Sequence, residues 1–253
     1  ESRGLGDVYK RQVSDFDYDA ATKTYTLKDG VPYAGEKGNV KPGMWKFKNI
    51  DGSKDNKITE ADKTVIGNAY PKIYGGINNT FTYKDFDLSI FLTYSIGNDV
   101  FNATKLTNTK TALQNKNVLA VADSKHRWVL VNKAGDLITD PQEMADINKG
   151  KTVAAIYDNE AGDTYIHSWA VEDGSFLKLS NITLGYTFPK KMIRKVGLSK
   201  LRLYATGSNL LTWTKYSGFD PEVSTMGNGL TPGVDFGAYP RSRSFVFGVN
   251  VAF

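Results

Sequence analysis

One short stretch of the chain has the residue types and spacing of a calcium-binding loop. Residues 51–62 read Asp-Gly-Ser-Lys-Asp-Asn-Lys-Ile-Thr-Glu-Ala-Asp. Counted from Asp51, oxygen-bearing side chains fall at positions 1, 3, 5, 9 and 12, and position 7 offers a backbone carbonyl, which is EF-hand-type spacing. The side chains in this set are Asp51, Ser53, Asp55, Thr59 and Asp62, and the carbonyl belongs to Lys57.

The loop departs from the EF-hand pattern at two positions. Asn56 stands where glycine is expected, and Asp62 stands where glutamate is expected. Asparagine tolerates a left-handed backbone, but aspartate is shorter and binds calcium less well through both oxygens. Lys54 and Lys57 could also neutralise the carboxylates without a metal. The sequence therefore leaves a calcium site and a polar turn as alternatives, and calcium is the one cofactor it suggests.

Other catalytic or ligand-binding patterns are missing from the sequence. There is no cysteine, and the two histidines, His126 and His167, have no metal-ligand spacing. No phosphate-binding glycine loop, dinucleotide glycine fingerprint or Gly-x-Ser-x-Gly elbow occurs. The net charge of +5 comes from lysines and arginines scattered among acids rather than from a basic stripe. We therefore expect neither an enzyme nor a nucleic-acid-binding protein.

Most of the chain carries apolar residues in strict alternation, which predicts β-strands rather than helices. The pattern places strands near residues 73–83, 86–97, 176–188, 200–212 and 243–253, in one antiparallel open sheet. These strands exceed the five or six residues usual in globular proteins, and about ten residues is the length of a tilted strand that crosses a bilayer. The alternation changes phase at Ser180 and Asn181, which predicts a β-bulge.

Three further elements are predicted outside this pattern. A sixth strand is expected around residues 43–49, with Trp45 and Phe47 on one face, and the stretches 22–27 and 31–33 could pair as a hairpin outside the main sheet. A helix is expected over residues 141–149, with Asp140 as its N-cap and Pro141 at its first position.

The connections between the strands alternate in length. The turn at Lys84 and Asp85 and the basic link 189–199 are short, whereas the links 50–72, 98–172 and 215–241 are long. Short turns on one side, long loops on the other and aromatic residues near strand ends are typical of outer-membrane barrels. The fold class expected is all-β, an antiparallel transmembrane β-barrel wall with long extracellular loops. A soluble antiparallel sandwich with an aromatic core is the alternative.

Ordered sequence blocks between about residues 40 and 253 resemble the SusC/RagA family of TonB-dependent outer-membrane transporters. The chain ends on an alternating strand at Phe253, which looks like the C-terminal signal strand of bacterial outer-membrane proteins. The blocks are Ile66-Gly67-Asn68, Tyr74-Gly75-Gly76-Ile77-Asn78-Asn79-Thr80-Phe81, Glu172-Asp173-Gly174-Ser175-Phe176-Leu177, Asn209-Leu210-Leu211-Thr212, Tyr216-Ser217-Gly218-Phe219-Asp220-Pro221-Glu222 and Tyr239-Pro240-Arg241.

The resemblance implies an importer that takes up glycan oligomers, or peptides in the RagA branch, together with a SusD-like surface lipoprotein. It implies a bacterial outer-membrane location, assembly by the barrel-assembly machinery through the strand ending at Phe253, and energy from TonB acting on a plug domain that this chain lacks. A full barrel of this kind has about 22 strands, so the chain would be a fragment of the wall.

The start of the chain reads differently from the rest. No apolar signal core precedes the first strands, and no apolar run reaches the length of a transmembrane helix, which is about 18 residues. We expect a non-native or disordered start over residues 1–12, a loop or short hairpin region over 13–40 and the C-terminal TonB-dependent receptor β-barrel segment over 41–253. The alternative function is a secreted soluble β-sandwich that binds carbohydrate, with a structural calcium loop.

Overall fold

The computed structural model describes residues 2–6, 8–109, 117–155, 166–225 and 232–253. The strands in these ranges are β1 Ser2–Leu5, β2 Tyr9–Lys10, β3 Phe16–Asp19, β4 Thr24–Leu27, β5 Trp45–Lys46, β6 Lys63–Gly67, β7 Ile73–Tyr83, β8 Phe86–Ile96, β9 Asp99–Asn102, β10 Val171–Asp173, β11 Phe176–Thr187, β12 Lys200–Thr214, β13 Val234–Asp235 and β14 Ser244–Ala252. The α-helices are α1 Ala103–Asn108, α2 Pro141–Ile147 and α3 Lys190–Ile193. No helix in the described ranges is both long and apolar enough to cross a membrane.

The chain forms two compact units. The first comprises residues 1–68 and 101–171, and the second comprises residues 69–100 and 172–253. Residues 2–5, expected in a non-native or disordered start, form β1 and pair antiparallel with β6 in the first unit. The division of the chain at residues 12 and 40 stays a prediction.

The second unit is built on one five-stranded antiparallel sheet. Its order is β14-β12-β11-β8-β7. Each of these long strands therefore pairs with the long strand that precedes or follows it in the sequence. These are the five strands that the alternating pattern predicts. Strands β7 and β8 are joined by a two-residue turn in which Lys84 adopts a left-handed backbone with φ of 53°. The antiparallel sheet expected from the sequence is therefore confirmed.

The phase slip in β11 is a bulge in the structure. Its register against both β8 and β12 shifts between Leu179 and Asn181, so Ser180 is an extra residue relative to β8. On the β12 side, the chain accommodates the shift at Asn209, whose φ is 54°. Because each side chain of a strand points to the face opposite its neighbour's, the extra residue keeps the apolar side chains before and after the slip on one face. The bulge predicted at Ser180 is confirmed.

The described strands do not form a sandwich. Apart from the five-stranded sheet, the sheets in the described ranges have two or three strands, and none of those strands exceeds five residues. A three-stranded sheet has the order β10-β9-β13. A sandwich needs a second sheet of comparable length to cover the first. The fold expected as the alternative is therefore not the one observed.

The first unit consists of short strands, turns and small apolar clusters. One cluster contains Leu5, Trp45, Phe47, Ile58 and Ala154, and a second contains Trp128, Ile138, Met144 and Ala155. The sixth strand expected around residues 43–49 is wrong in extent, because β5 has only two residues, which pair with β2. The local hairpin pairs β4 with β3, not with residues 31–33. Burial of Trp45 and Phe47 in a small core explains the apolar pattern there.

The helix expected after Asp140 is present as α2. The Asp140 carboxylate accepts a hydrogen bond of 2.8 Å from the backbone N–H of Glu143, and Pro141 begins the helix. An N-cap aspartate satisfies one of the N–H groups that has no partner within the helix, and proline loses nothing at the first position. The observed helix ends at Ile147, two residues before the expected end.

Candidate functional site

The five-stranded sheet presents one continuous apolar face. Directly paired residues on neighbouring strands point to the same side, so the register assigns the side chains to faces. Two adjacent rows on one face are Tyr83, Phe86, Tyr186, Leu203 and Val249, and Phe81, Leu88, Leu184, Ala205 and Phe247. The sequence alternation thus becomes a continuous apolar surface that spans all five strands.

This apolar face is exposed within the chain. Phe81, Leu184 and Phe247 are 57%, 51% and 80% exposed, and most of the face's residues on the outer strands are exposed as well. Soluble monomers rarely expose contiguous apolar patches larger than a few hundred Å². A face of this kind is stable only against lipid or another apolar surface. An outward apolar band with alternate polar residues behind it is the pattern of a membrane barrel strand.

Aromatic rings gather at the end of the apolar face beside the two-residue turn. The rings of Phe86 and Tyr186 lie 4.7 Å apart, and those of Tyr186 and Phe188 lie 4.9 Å apart in an edge-on arrangement. Tyr83 precedes the turn, and the Lys84 ammonium lies 5.3 Å from the centre of its ring. Aromatic belts of this type occur at the level of lipid headgroups. The aromatic residues predicted near this end of the strands are therefore grouped in space.

The opposite face of the sheet is polar and carries an ion pair across three strands. The guanidinium of Arg202 on β12 donates to both carboxylate oxygens of Asp87 on β8, at 3.0 and 2.6 Å. Gly185 lies between them on β11, and a Cβ there would come within 2.4 Å of the guanidinium. The glycine therefore leaves the space in which the two charges meet. A bidentate pair of this kind fixes both position and orientation.

The link between β12 and β14 folds onto the polar face through a second ion pair. Lys178 on β11 is buried, and its ammonium lies 2.5 Å from a carboxylate oxygen of Glu222 in the link. The Arg241 guanidinium approaches the same oxygen at 3.6 Å, and Asp220 accepts from the backbone N–H of Glu222 at 3.0 Å. Neither ion pair has a local signal in the sequence, because the partners are distant along the chain.

The same link is held by a buried tyrosine. The Tyr216 hydroxyl donates to the Asp235 carboxylate at 2.6 Å, and both side chains are buried. Burial and then this hydrogen bond raise the pKa of Tyr216 well above its usual range. Next to these contacts, on the polar side of the sheet, lies an open cavity of 520 Å³ lined by Tyr74, Phe91, Phe176 and Glu222 among others. The link therefore forms a wall of a cavity with aromatic and acidic sides.

The 51–62 loop is organised by its own hydrogen bonds. Asp51 accepts the backbone N–H of Ser53 at 2.8 Å, and Asp55 accepts that of Lys57 at 3.1 Å. The bond from the Lys57 backbone, followed by one from Ser53, lowers the pKa of Asp55. Asn56 takes the left-handed backbone expected at the glycine position, with φ of 56°. In both hydrogen bonds an aspartate carboxylate accepts the backbone N–H two residues later, which is the arrangement of an Asx turn.

The last carboxylate of the loop has a different environment. Asp62 is completely buried, and its oxygens accept the backbone N–H groups of Ile50 at 2.7 Å, Asp51 at 3.3 Å and Thr59 at 2.8 Å. The Thr59 hydroxyl accepts from Ala61 at 3.2 Å, so it caps a short turn. Over the described parts of the chain, no group of three or more His, Cys, Asp or Glu residues is placed to hold a metal ion. The predicted set also contains hydroxyl and carbonyl ligands, which are not among these residue types, so calcium binding by the six residues stays a prediction.

The comparisons with known proteins agree with the amphipathic sheet. No protein-family model matches the chain. It is 31% identical over 258 residues to the TonB-dependent receptor P3 of Formosa agariphila, covering 100% of this chain and 22% of that protein. It is 28% identical over 206 residues to the TonB-dependent receptor SusC of Bacteroides thetaiotaomicron, covering 81% of this chain and 17% of SusC. The chain thus spans about a fifth of the length of these curated relatives.

Solved structures show the same fold. A structure of the RagAB peptide transporter matches 99% of this chain and 22% of its own chain, with a TM-score of 0.61 and 18% identity. The RagAB peptide importer in an open-open state matches 83% of this chain with a TM-score of 0.57 and 22% identity. At this identity the match concerns the fold alone. The sequence relatives at 30–31% identity over most of this chain are named TonB-dependent receptors, and the chain belongs to this family as a segment of about a fifth of their length.

Proposed function

We propose that the chain is a wall segment, from the C-terminal part, of an outer-membrane β-barrel importer. The observation that carries this proposal is the five-stranded antiparallel sheet whose one face is apolar and exposed on every strand. In this arrangement lipid covers the apolar face, and the polar face with Arg202 and Asp87 lines the lumen. The residues contribute a wall and a surface for cargo, and we assign them no catalytic role.

The open edges of the sheet support closure by further strands. Strands β7 and β14 are the outer strands of the sheet in the described residues, so each has one edge of backbone N–H and C=O groups that faces away from the sheet. Such edges are unstable in lipid unless another strand pairs with them. We propose that about 17 more strands complete a barrel of about 22, and that β14, ending beside Phe253, is read by the barrel-assembly machinery.

Transport would take its energy from outside this segment. TonB would act on a plug domain in the remainder of the protein, and a SusD-like lipoprotein would cover the barrel on the side of the long links. The cargo we propose is a glycan oligomer, with a peptide as the alternative. The cavity on the polar face supports this proposal, because exposed Tyr74 beside Phe91 and Glu222 offers ring faces and an acceptor to a sugar chain.

A deletion strain complemented with the full-length protein tests the proposal. We expect deletion, or loss of TonB, to abolish uptake of the cargo, and the protein to fractionate with the outer membrane and to co-purify with a lipoprotein. Tyr74→Ala should reduce uptake, whereas Tyr239→Ala should not, because Tyr239 is exposed but does not line the cavity. Recovery of the protein in the periplasm, or unchanged uptake without TonB, would refute the importer.

The 51–62 loop supports a further proposal about calcium. The loop precedes β7, so the chain enters the sheet at the end opposite the turn at Lys84 and Asp85. If that turn lies in the periplasm, the loop lies at the extracellular rim. We propose that Asp51, Ser53, Asp55 and the Lys57 carbonyl bind calcium weakly there, with Thr59 and Asp62 closing the loop. Extracellular sites of this type have dissociation constants of about 10⁻⁴ to 10⁻³ M.

A further inference from the structure

The connection between β11 and β12 exposes apolar side chains. It contains α3 and a short helical turn at Arg194–Val196. Ile193 is buried, but Met192 and Val196 are 60% and 70% exposed. Single exposed apolar side chains are common on protein surfaces, so these two acquire a meaning only from what lies beside them. Both are available to an apolar partner outside the chain.

The same end of the sheet carries a surplus of positive charge. We define the basic rim as residues 84–85 and 189–200. Its exposed cations are Lys84, Lys190, Lys191, Arg194, Lys195 and Lys200, and its one acidic side chain is Asp85. None of the six forms an ion pair with another residue in the part of the chain that the structure describes. Six like charges at one rim create a positive local potential, which attracts anions from outside the chain.

The basic rim continues directly from the apolar face. The backbone N–H of Phe188 bonds the carbonyl of Leu201 at 2.9 Å, and that of Ser199 bonds the carbonyl of Ala252 at 2.8 Å. Both bonds hold the link against the end of the sheet. Along the apolar face toward the basic rim, aliphatic residues come first, then the aromatic group with Phe86 and Tyr186, and then the cations of the rim. Hydrocarbon, interface and anionic headgroups follow one another in the same order in a bilayer.

We propose that the basic rim binds the headgroups of anionic phospholipids in the leaflet at the short-turn end of the barrel, with Met192 and Val196 inserted at the interface. This rests on the proposed function, since it needs the apolar face to lie in a bilayer. The charge of the rim selects an anionic partner. Its continuity with the apolar face favours lipid over an acidic protein. The cations of the rim attract the headgroups electrostatically, so added salt should weaken the binding.

The test uses the intact transporter reconstituted in bilayers of phosphatidylethanolamine with a minority of phosphatidylglycerol. The lipid shell extracted with the protein is analysed for its anionic fraction. We expect enrichment of phosphatidylglycerol over the bulk bilayer, and its loss in a K190Q/K191Q/K195Q variant. The matched control is K125Q/K133Q/K149Q, which removes three exposed lysines from the first unit and should keep the enrichment.

Two outcomes separate this proposal from the importer itself. Equal phosphatidylglycerol enrichment in the wild type and the rim variant, or equal loss in both triple variants, would overturn lipid binding by the rim while leaving the barrel intact. Failure of every variant, including the wild type, to insert into the bilayer would instead contradict the membrane wall. A fluorophore on Met192→Cys gives a second readout, because it should report an apolar environment that becomes aqueous if the rim binds an acidic protein instead.

Discussion

Two neighbouring residues of β14 allow the lipid-facing side of the sheet to be tested with matched substitutions. Phe247 and Val246 are adjacent on the same strand, both are apolar, and they are 80% and 51% exposed. Their register partners, Ala205 and Thr206, place Phe247 on the apolar face and Val246 on the polar face. Substituting arginine at each position therefore adds the same charge at the same depth, on opposite faces.

The expected costs differ by several-fold in energy. An arginine on the lipid face costs about 2–4 kcal/mol at the bilayer midplane and about 0–1 kcal/mol near the interfaces. Because Phe247 lies one row from the aromatic group, we expect an intermediate cost of about 1–2 kcal/mol, which corresponds to a loss of about 5- to 30-fold in the folding equilibrium. Val246→Arg should stay within about 0.5 kcal/mol of wild type, because its side chain would lie in the aqueous lumen. In water, both positions are exposed and both changes would be close to neutral.

The assay is the free energy of unfolding of the intact barrel in lipid vesicles, from denaturant titration, with the heat-modifiable folded band on gels as a second measure. We expect Phe247→Arg to lower the folded fraction sharply and Val246→Arg to leave it unchanged. Equal effects at the two positions, or a larger cost at Val246, would show that the face carrying Phe247 does not meet lipid and would refute the assignment of faces.

Three further results are expected from the loops. Millimolar calcium should protect the 51–62 loop from protease in the intact transporter, and Asp51→Ala and Asp55→Ala should each remove that protection; unchanged resistance would make the loop a polar turn. Asp62→Ala should destabilise the loop by about 1–3 kcal/mol, because three backbone N–H groups lose their acceptor, and it should accelerate amide exchange at Thr59. The raised pKa of Tyr216 means that its contribution to stability is complete below its ordinary pKa of about 10 and is lost as the pH rises above that value toward the pKa in the folded state. Protease resistance of the link 215–243 should therefore fall above pH of about 10 in wild type, and Tyr216→Phe should remove this pH dependence.

The sequence alone determined the elements whose signals are local. Alternation over nine or more residues fixed the five long strands, because every second side chain of a strand faces the same side. The phase slip at Ser180 located the bulge, and Asp140 before Pro141 located the start of α2. In each case the interactions responsible lie within a few residues along the chain, so residue type and spacing are sufficient.

Short alternating patterns are less reliable, because the same apolar residues can be buried in a small core instead of on one face of a sheet. Trp45 and Phe47 alternate as a strand would, yet they are buried in a cluster of the first unit and leave only a two-residue strand. In the 51–62 loop, the spacing alone also did not reveal that the buried carboxylate of Asp62 accepts backbone N–H groups. A pattern of residue types shows which side-chain atoms could form contacts, but it does not show which residues they contact in the folded chain.

Only the tertiary structure decided the contacts between distant segments. The bidentate pair of Arg202 with Asp87 needs Gly185 between them, and the pair of buried Lys178 with Glu222 needs the segment after β12 that carries Glu222 to lie over the polar face. Partners separated by 44 or 115 residues meet only when strand order and register are set. The free energy of such contacts depends on closing long loops and on burial, and neither quantity is written in the local sequence.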